Sequence, residues 1–358
     1  MPTARPSILA TLSAFVAGAG GLAVLTGPAL ANFDVLAPLS AFYLFALGSL
    51  LGLVGLVLGV SLPSTPRILG VLNNMAHAPV FGAFALIVLR LIRIWRSSAT
   101  ARAGDYGIAF VVAIGAGGLV EVAQAFMDRD ASLEDLGTDA LGAGCALGIA
   151  AALDRRLWPA RIRFAGRIAA AVLGLGCGLW ALFPVGQAVV AYVDRATAFP
   201  VVARFSSPRE LYFIDSGTAR LSLQPLPARW SRPGDDLSLR IDFTAPLWPG
   251  MSHDEPEPDW QGFSALVLDV TNPDEAPLQL TVRVHDAAHD QRHADRFNRT
   301  FEVMPSNRVF LRIPIDDILA GPVGRPLDLA RIAGLVVFES SRSAAIGRHF
   351  YLTRIWLE

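Results

Sequence analysis

The chain has 358 residues, 53% of them hydrophobic, and a formal net charge of -1 at pH 7; this length suits two or three domains. Because such a charge creates no strongly basic surface, we expect no nucleic-acid partner. Long runs of Ala, Leu, Gly and Val extend to about residue 193, after which Asp, Arg, Pro and Asn recur every few residues. This asymmetry predicts a membrane-embedded first part and a water-exposed second part.

Six segments of the first part are long and apolar enough, or nearly so, to cross a membrane. A spanning helix needs about 20 apolar residues to cross a hydrocarbon core of about 30 Å. The predicted spans are 8–26, 38–60, 68–92, 108–126, 136–153 and 168–190. We therefore expect an α-helical transmembrane bundle of about six spans over residues 1–193.

The positions of the arginines predict the orientation of this bundle, because short loops rich in positive charge stay in the cytoplasm. Two loops, after the third and fifth predicted spans, hold Arg90, Arg93, Arg96 and Arg102, and Arg155, Arg156, Arg161, Arg163 and Arg167. Both loops fall on one side, so the remaining loops and the second part of the chain are expected outside. All 30 Lys and Arg positions are Arg, a bias typical of GC-rich bacterial genomes, and we expect a bacterial inner-membrane location.

The first predicted span also has the features of a secretory signal peptide. Arg5 precedes an apolar stretch that ends in Ala29-Leu30-Ala31, and removal of this segment would leave five spans. The new N-terminus would then have to lie inside to keep the arginine-rich loops cytoplasmic, which secretion of that end forbids. We therefore expect the first helix to be retained, with cleavage at Ala31 as the alternative.

Polar side chains occur inside the predicted spans, where an ionisable group is costly unless it is paired or hydrated. His77 lies in the third span and Glu121 in the fourth, at a similar depth from the outer end. Gln124 follows Glu121 by three residues and shares its helix face.

The fifth span contributes further polar groups near its start. Ser132 is placed to cap this helix, and Asp135 and Asp139, four residues apart, share a face of its first turns. The sequence thus predicts one outward-opening ligand pocket, formed by His77, Glu121, Gln124, Arg129, Ser132, Asp135 and Asp139. The alternative is that these groups only hydrogen-bond neighbouring helices and fix their register.

These residues resemble the VanZ-like family of bacterial membrane proteins over about residues 38–155. The motifs are Asn74-Met75-Ala76-His77, Glu121-Val122-Ala123-Gln124, Arg129, Ser132 and Asp135-Leu136, with Asp139 where the family pattern usually has Asn. The resemblance implies a multi-pass envelope protein, in a family sometimes linked to tolerance of glycopeptide antibiotics such as teicoplanin.

The second part shows the alternation of apolar and polar residues that is typical of half-buried strands, first at 237–243. Further predicted strands are 265–270, 278–285, 299–303, 308–313, 334–338 and 350–357. Pro and Gly clusters separate them, which favours an all-β antiparallel sandwich of the jelly-roll type over 235–358. Residues 194–234 are expected to be a linker with the first strands.

This part resembles the galactose-binding-like jelly rolls of carbohydrate-binding modules. The resemblance rests on Trp260-Gln261-Gly262-Phe263, Leu268-Asp269-Val270-Thr271-Asn272-Pro273, Asp295-Arg296-Phe297-Asn298, Arg312-Ile313-Pro314-Ile315-Asp316-Asp317-Ile318, Leu327-Asp328-Leu329 and Ile355-Trp356-Leu357. Fold-level likeness does not establish sugar binding.

Four residues of this second part are candidates for a sugar site: Trp248, Trp260, His285 and Asp286. Burial of the two tryptophans in a sandwich core would explain them equally well. Asp295 and Asn298 could ligate calcium through oxygen atoms, although such residues more often stabilise turns.

The sequence contains no nucleotide-binding loop, nucleophile motif or metal-binding cluster, so we expect no cofactor and assign no metal ligand. Cys145 and Cys177 lie among Gly and Ala, as packing residues do. The favoured hypothesis is an envelope protein that contacts membrane lipids and binds a lipid-linked cell-wall precursor or a surface glycan. The alternatives are a membrane enzyme in which Glu121 or His77 acts as acid or base, and a transporter or flippase component.

The predicted topology can be checked by cysteine labelling of intact cells with a membrane-impermeant reagent. The reagent should modify a Ser306→Cys variant, in the second part of the chain, and leave a Ser97→Cys variant in the arginine-rich loop unmodified. The opposite labelling pattern would show that the predicted orientation is wrong.

Overall fold

The computed structural model describes residues 45–46, 48–55, 65–96, 102–126, 132–341 and 346–358. The chain divides into two compact units, Met1–Gly186 and Gln187–Glu358, named here the helical unit and the β unit. The first predicted span, the possible signal peptide and Arg129 lie outside the described residues. Only residues 45–46 and 48–55 of the second predicted span are described as helical.

Beyond the helical residues of the second predicted span, five helices are described before the first strand. They are α1 (Arg67–Met75), α2 (His77–Trp95), α3 (Ala103–Ala125), α4 (Leu133–Leu153) and α5 (Arg163–Ala198), whose last residues belong to the β unit. By length and composition, four stretches of the described chain could cross a membrane: Arg67–Trp95, Ala103–Ala125, Leu133–Leu153 and Arg163–Ala198. They correspond to the third to sixth predicted spans, so the described residues show four such helices and not six.

The third predicted span differs from the expected single helix, because α1 ends at Met75 and α2 begins at His77. Pro79 lies in the first turn of α2 and has no backbone N–H to donate to the carbonyl four residues earlier. The hydrogen bond from residue 79 to the Met75 carbonyl is therefore missing, and Ala76 serves both as the last cap of α1 and the first cap of α2.

Helix α4 begins at the cap that the sequence predicts. The hydroxyl of Ser132 accepts the backbone N–H groups of Glu134 at 3.1 Å and Asp135 at 3.3 Å. Both acidic side chains stand in the first turn, where the positive end of the helix dipole favours negative charge.

Small residues let α2, α3 and α4 approach closely. The Ala78 carbonyl oxygen of α2 occupies the space that a side chain at Gly142 of α4 would need, and Asp139 occupies the equivalent space at Gly117 of α3. Larger residues at either glycine would separate the helices, so the three helix ends are held together by the absence of side chains at these two points.

The described part of the β unit contains eleven antiparallel strands. They are β1 (Val201–Ala203), β2 (Ile214–Gly217), β3 (Ala219–Gln224), β4 (Ser238–Phe243), β5 (Pro249–His253), β6 (Ala265–Asn272), β7 (Leu278–Asp286), β8 (Phe297–Val303), β9 (Asn307–Pro314), β10 (Ile332–Glu339) and β11 (His349–Leu357). A short helix, α6 (Ile315–Leu319), follows β9. The seven predicted strands are all present, whereas β1, β2, β3 and β5 were not predicted as individual strands.

The strands form two sheets. One has the order β3-β4-β11-β6-β9, with β1 also paired to β11, and the other has the order β2-β5-β10-β7-β8. Alternate residues of the strands, such as Leu239 and Ile241 in β4, are 0% exposed and belong to one core cluster, while Arg240 between them faces outward. The strands β1, β2 and β3, which complete these sheets, precede residue 235.

The fragment Phe199–Glu358 contains every strand of both sheets, and we expect it to be soluble and to give a β-type circular dichroism spectrum with a cooperative thermal transition. Replacing Leu268, which is 0% exposed, with Ala should destabilise it by about 2 to 5 kcal/mol. A soluble fragment without a cooperative transition, or an unaffected Leu268→Ala variant, would contradict an independent core.

Candidate functional site

A buried polar pair joins two helices of the helical unit. His77 begins α2 and Asp139 lies near the start of α4, and their side chains meet with 3.0 Å between His77 Nδ1 and Asp139 Oδ1. His77 is 4% and Asp139 0% exposed. Polar groups in such surroundings are stable only when paired, so the hydrogen bond ties the first turns of α2 and α4 together.

Helix α3 brings a second carboxylate to the same end of the unit. Glu121 is 6% exposed, and its Oε2 atom accepts the backbone N–H of Ser132 at 2.7 Å. Gln124, one turn further along α3, is 3% exposed. The Glu121 carboxylate thereby anchors the residue that caps α4.

Two acceptor atoms of this cluster have unused hydrogen-bonding capacity. Among the described residues, neither Oε1 of Glu121 nor Oδ2 of Asp139 has a hydrogen-bond partner, although both atoms are buried. A buried acceptor without a donor costs about 1 to 3 kcal/mol. Both oxygens could therefore gain from a ligand that donates hydrogen bonds.

The structure brings together several of the sequence candidates at the neighbouring ends of α2, α3 and α4. The carboxylates of Glu121 and Asp135 lie close enough to His77 to interact with it electrostatically. We name the following residues the polar cluster: His77, Glu121, Ser132, Asp135 and Asp139. Gln124 is buried on α3 near this end, and Arg129 lies outside the described residues.

A second polar group at the opposite ends of these helices was not singled out from the sequence. Arg93 donates to the Tyr106 hydroxyl at 2.6 Å and to Asp154 at 2.7 Å. Arg96 forms an ion pair with Asp105 at 2.7 Å. Asp105 and Asp154 lie at the ends of apolar runs, where a charged residue is common. Their pairing with arginines of another helix is visible only in the folded structure.

The two polar groups are separated by the same helix length on all three helices. From His77 to Arg93, from Tyr106 to Glu121, and from Asp139 to Asp154 the chain advances 15 or 16 residues. At a rise of about 1.5 Å per residue this is about 22 to 24 Å. The apolar layer between the groups therefore fits within a hydrocarbon core of about 30 Å.

The sugar-site candidates of the β unit lie in different surroundings. Trp260 is 0% exposed and its indole Nε1 donates to the Glu257 carbonyl at 2.8 Å, which makes it a core residue, as the alternative interpretation held. Asp286 is 1% exposed and both of its carboxylate oxygens accept from Arg325. Trp248 is 63% exposed in the loop before β5.

His285, on β7, is packed against its neighbours. Its ring lies over Gly334, where a side chain would displace it, and its centroid is 5.0 Å from that of His289. Burial, followed by the nearby His289 and Arg283, lowers the pKa of His285 to about 4. The neutral imidazole is therefore the form that the fold favours.

The acidic turn near His289 has its carboxylate oxygens occupied by protein donors. Ligand atoms of His289, Asp290 and Asp295 lie within 4.8 Å of one another, as a metal would require. However, Arg325 donates to one Asp295 oxygen at 2.6 Å and the Asp290 backbone N–H donates to the other at 2.9 Å. Hydrogen bonding to Arg325 lowers the pKa of Asp295 to about 2, and this arrangement is typical of a stabilised turn.

Comparison with known proteins gives only distant structural likenesses. No family model and no curated protein matches the chain. Solved structures similar to it include a family 11 carbohydrate-binding module from Clostridium thermocellum bound to a β-1,3-1,4-mixed-linked tetrasaccharide (13% identity, 44% of this chain and 93% of that chain, TM-score 0.33). An exo-β-agarase (18% identity, 41% and 23%, TM-score 0.32) and a xylan-binding family 22 module (14% identity, 44% and 91%, TM-score 0.30) are also similar. At these TM-scores the likenesses carry no argument about ligand or activity.

The partly buried, neutral His285 should make the β unit sensitive to mild acid. Because its pKa in the folded state, about 4, lies below the unfolded value of about 6.5, its contribution to stability is complete above pH 6.5 and is lost as the pH falls toward 4. We expect the melting temperature of the fragment Phe199–Glu358 to fall over this range, and to fall less in a His285→Gln variant. The pKa of His349 is also lowered by burial. Because His349 is present in both proteins, its contribution to the pH dependence of the melting temperature is the same in both. Equal pH profiles would contradict the prediction.

Proposed function

We propose that the chain is a bacterial inner-membrane protein that binds the polar headgroup of a lipid-linked glycan, or another envelope glycan, at the polar cluster. The observation that carries the proposal is the buried His77–Asp139 pair beside Glu121, with one unused acceptor oxygen on each carboxylate among the described residues. Ionisable groups in this setting are costly, and a functional ligand is a common reason for keeping them.

The surface of the helices supports a membrane setting for this cluster. Large apolar side chains point away from the helical unit, among them Leu119 of α3 at 72% exposed and Leu179 and Trp180 of α5 at 70% and 71%. A contiguous apolar surface is unfavourable in water, whereas lipid tails remove that cost. With the arginine-rich loops in the cytoplasm, the polar cluster would lie in the outer leaflet and the β unit outside.

The chemistry of the cluster indicates which part of a ligand it would contact. The unused atoms are carboxylate oxygens, which accept hydrogen bonds from hydroxyl or ammonium groups. A phosphate placed directly against Glu121 and Asp139 would be repelled by their charge. Sugar hydroxyls of a lipid-linked precursor are donors of the required kind.

The resemblance of the motif residues to the VanZ-like family supports the same setting, an envelope protein that changes how the cell tolerates a cell-wall antibiotic. His77, Glu121, Ser132 and Asp135 are motif residues and lie together in the cluster. A protein that binds a lipid-linked precursor could protect that precursor from a glycopeptide.

A specific observation also favours acid–base chemistry as a second candidate function. Asp139 contacts Nδ1 of His77, and a carboxylate in this position orients the imidazole and leaves Nε2 as the atom for proton transfer. A membrane enzyme that acts on a lipid-linked substrate would use His77 as its acid or base, with Asp139 as the positioning residue.

The polar cluster can be tested with Glu121→Gln, which keeps size and hydrogen bonding while it removes the charge. We expect the variant to lose activity in a glycopeptide-tolerance or envelope-stress assay, while its abundance in the membrane stays unchanged. Glu134→Gln is the matched control, because Glu134 is exposed in the first turn of α4. Normal abundance with full activity in Glu121→Gln would reject the site.

A further inference from the structure

The outer face of the six-stranded sheet carries an open groove in the β unit. Its volume is about 610 Å³, and its floor is formed by β6, β9 and β11. The segments 204–206 and 232–237 form its walls. Residues that face the groove alternate along each strand with core residues such as Leu268 and Leu311.

Two aromatic side chains form a platform in this groove. The rings of Phe310 on β9 and Trp356 on β11 lie 5.7 Å apart and nearly perpendicular. They reach toward each other across β6, where Val267 is paired with Trp356 and is only 3% exposed. Phe310 nevertheless remains 51% exposed, so part of its apolar surface is free to contact a ligand.

The floor of the groove is held rigid by Arg308. Its guanidinium donates to both oxygens of Asp269 at 2.9 and 2.5 Å and to both oxygens of Asp235 at 2.5 and 3.0 Å. It also donates to the Trp230 carbonyl at 2.6 Å. The wall segment that contains Asp235 is therefore tied to β6 and β9, and the oxygens of both carboxylates already accept hydrogen bonds from Arg308.

Two other arginines of the groove lie beside its aromatic rings. The guanidinium of Arg232 lies 5.1 Å from the centre of the Phe310 ring, and that of Arg354 lies 5.6 Å from the centre of the Trp356 ring. Neither forms an ion pair with a carboxylate in the part of the chain that the structure describes. Arg204 in the wall is paired with Glu210 at 3.0 Å, and Asp236 is the exposed acid that opposes the positive charge.

We propose that this groove binds an acidic oligosaccharide. The apolar faces of sugar rings would pack on Phe310 and Trp356, and carboxylates on neighbouring sugars would pair with Arg232 and Arg354, since a planar guanidinium binds a carboxylate with two parallel hydrogen bonds. The rigid floor lowers the cost of ordering the site on binding. The groove contains none of the residues of the polar cluster. The proposal therefore goes beyond the proposed function and is tested independently of it.

The test uses the full chain in detergent micelles and isothermal titration calorimetry. The probes are a linear hexamer of galacturonic acid and the galactose hexamer of the same linkage. We expect the acidic hexamer to bind at least about tenfold more tightly than the neutral one, and to weaken as salt is added because exposed charges are screened.

Matched variants assign the binding to the groove. Trp356→Ala and Phe310→Ala should each weaken binding of the acidic hexamer by about tenfold or more. Trp248→Ala is the control, because Trp248 is an exposed tryptophan of the β unit that does not line the groove. The double variant Arg232→Gln and Arg354→Gln should remove the preference for the acidic hexamer while the melting temperature stays that of the parent.

Three results would overturn the proposal. They are no detectable binding of the acidic hexamer, equal affinity for the two hexamers, and binding that is lost in Trp248→Ala but kept in Trp356→Ala. A fourth result, an affinity for a polyglutamate peptide equal to that for the acidic hexamer, would also overturn it, because charge alone would then explain the binding. Loss of function in Glu121→Gln has no bearing on any of these results.

Discussion

The hydrogen bond between His77 and Asp139 is the interaction on which the arrangement of the helical unit depends. Burial forces the two polar groups to pair, and the pairing is possible only because Gly142 and Gly117 let α2, α3 and α4 approach closely. The same constraint places Glu121 beside them. Polar residues that would each be costly in an apolar bundle thereby become one cluster with acceptor capacity left over.

The β unit meets a related constraint in another way. Arg308 stands between the carboxylates of Asp235 and Asp269 and satisfies both, so that a wall segment and two strands share one ion-pair network. Hydrogen bonding to Arg308 also lowers the pKa of Asp235. Because the oxygens of both carboxylates are occupied within the network, the arginines beside the aromatic rings are the groups left to contact a ligand in the groove, just as the unused carboxylate oxygens are in the polar cluster.

The fold was predictable where the periodicity is long and regular. The apolar runs predicted the four described helices that are long and apolar enough to cross a membrane, and the alternating residues predicted seven of the eleven described strands. The sequence analysis did not identify β1, β2, β3 and β5. Strands β1 and β2 have only three and four residues and β5 begins with Pro and Gly, so they carry too few alternations to stand out. Strand β3 alternates over six residues, as β4 does, and was missed although its pattern was readable. The sequence analysis also predicted one helix where Pro79 separates two, since apolar composition alone does not register a missing backbone donor.

By itself the sequence determined the division into an apolar and a polar part, the helix and strand classes and the cap at Ser132, since each follows from local composition and spacing. Only the tertiary structure decided which polar groups meet. His77 and Asp139 are 62 residues apart and Asp235 and Arg308 are 73 apart, and no local pattern encodes such contacts. The groove of Phe310 and Trp356 was missed for this reason: each residue looks like an ordinary outward-facing strand position until sheet pairing places the two on the same face.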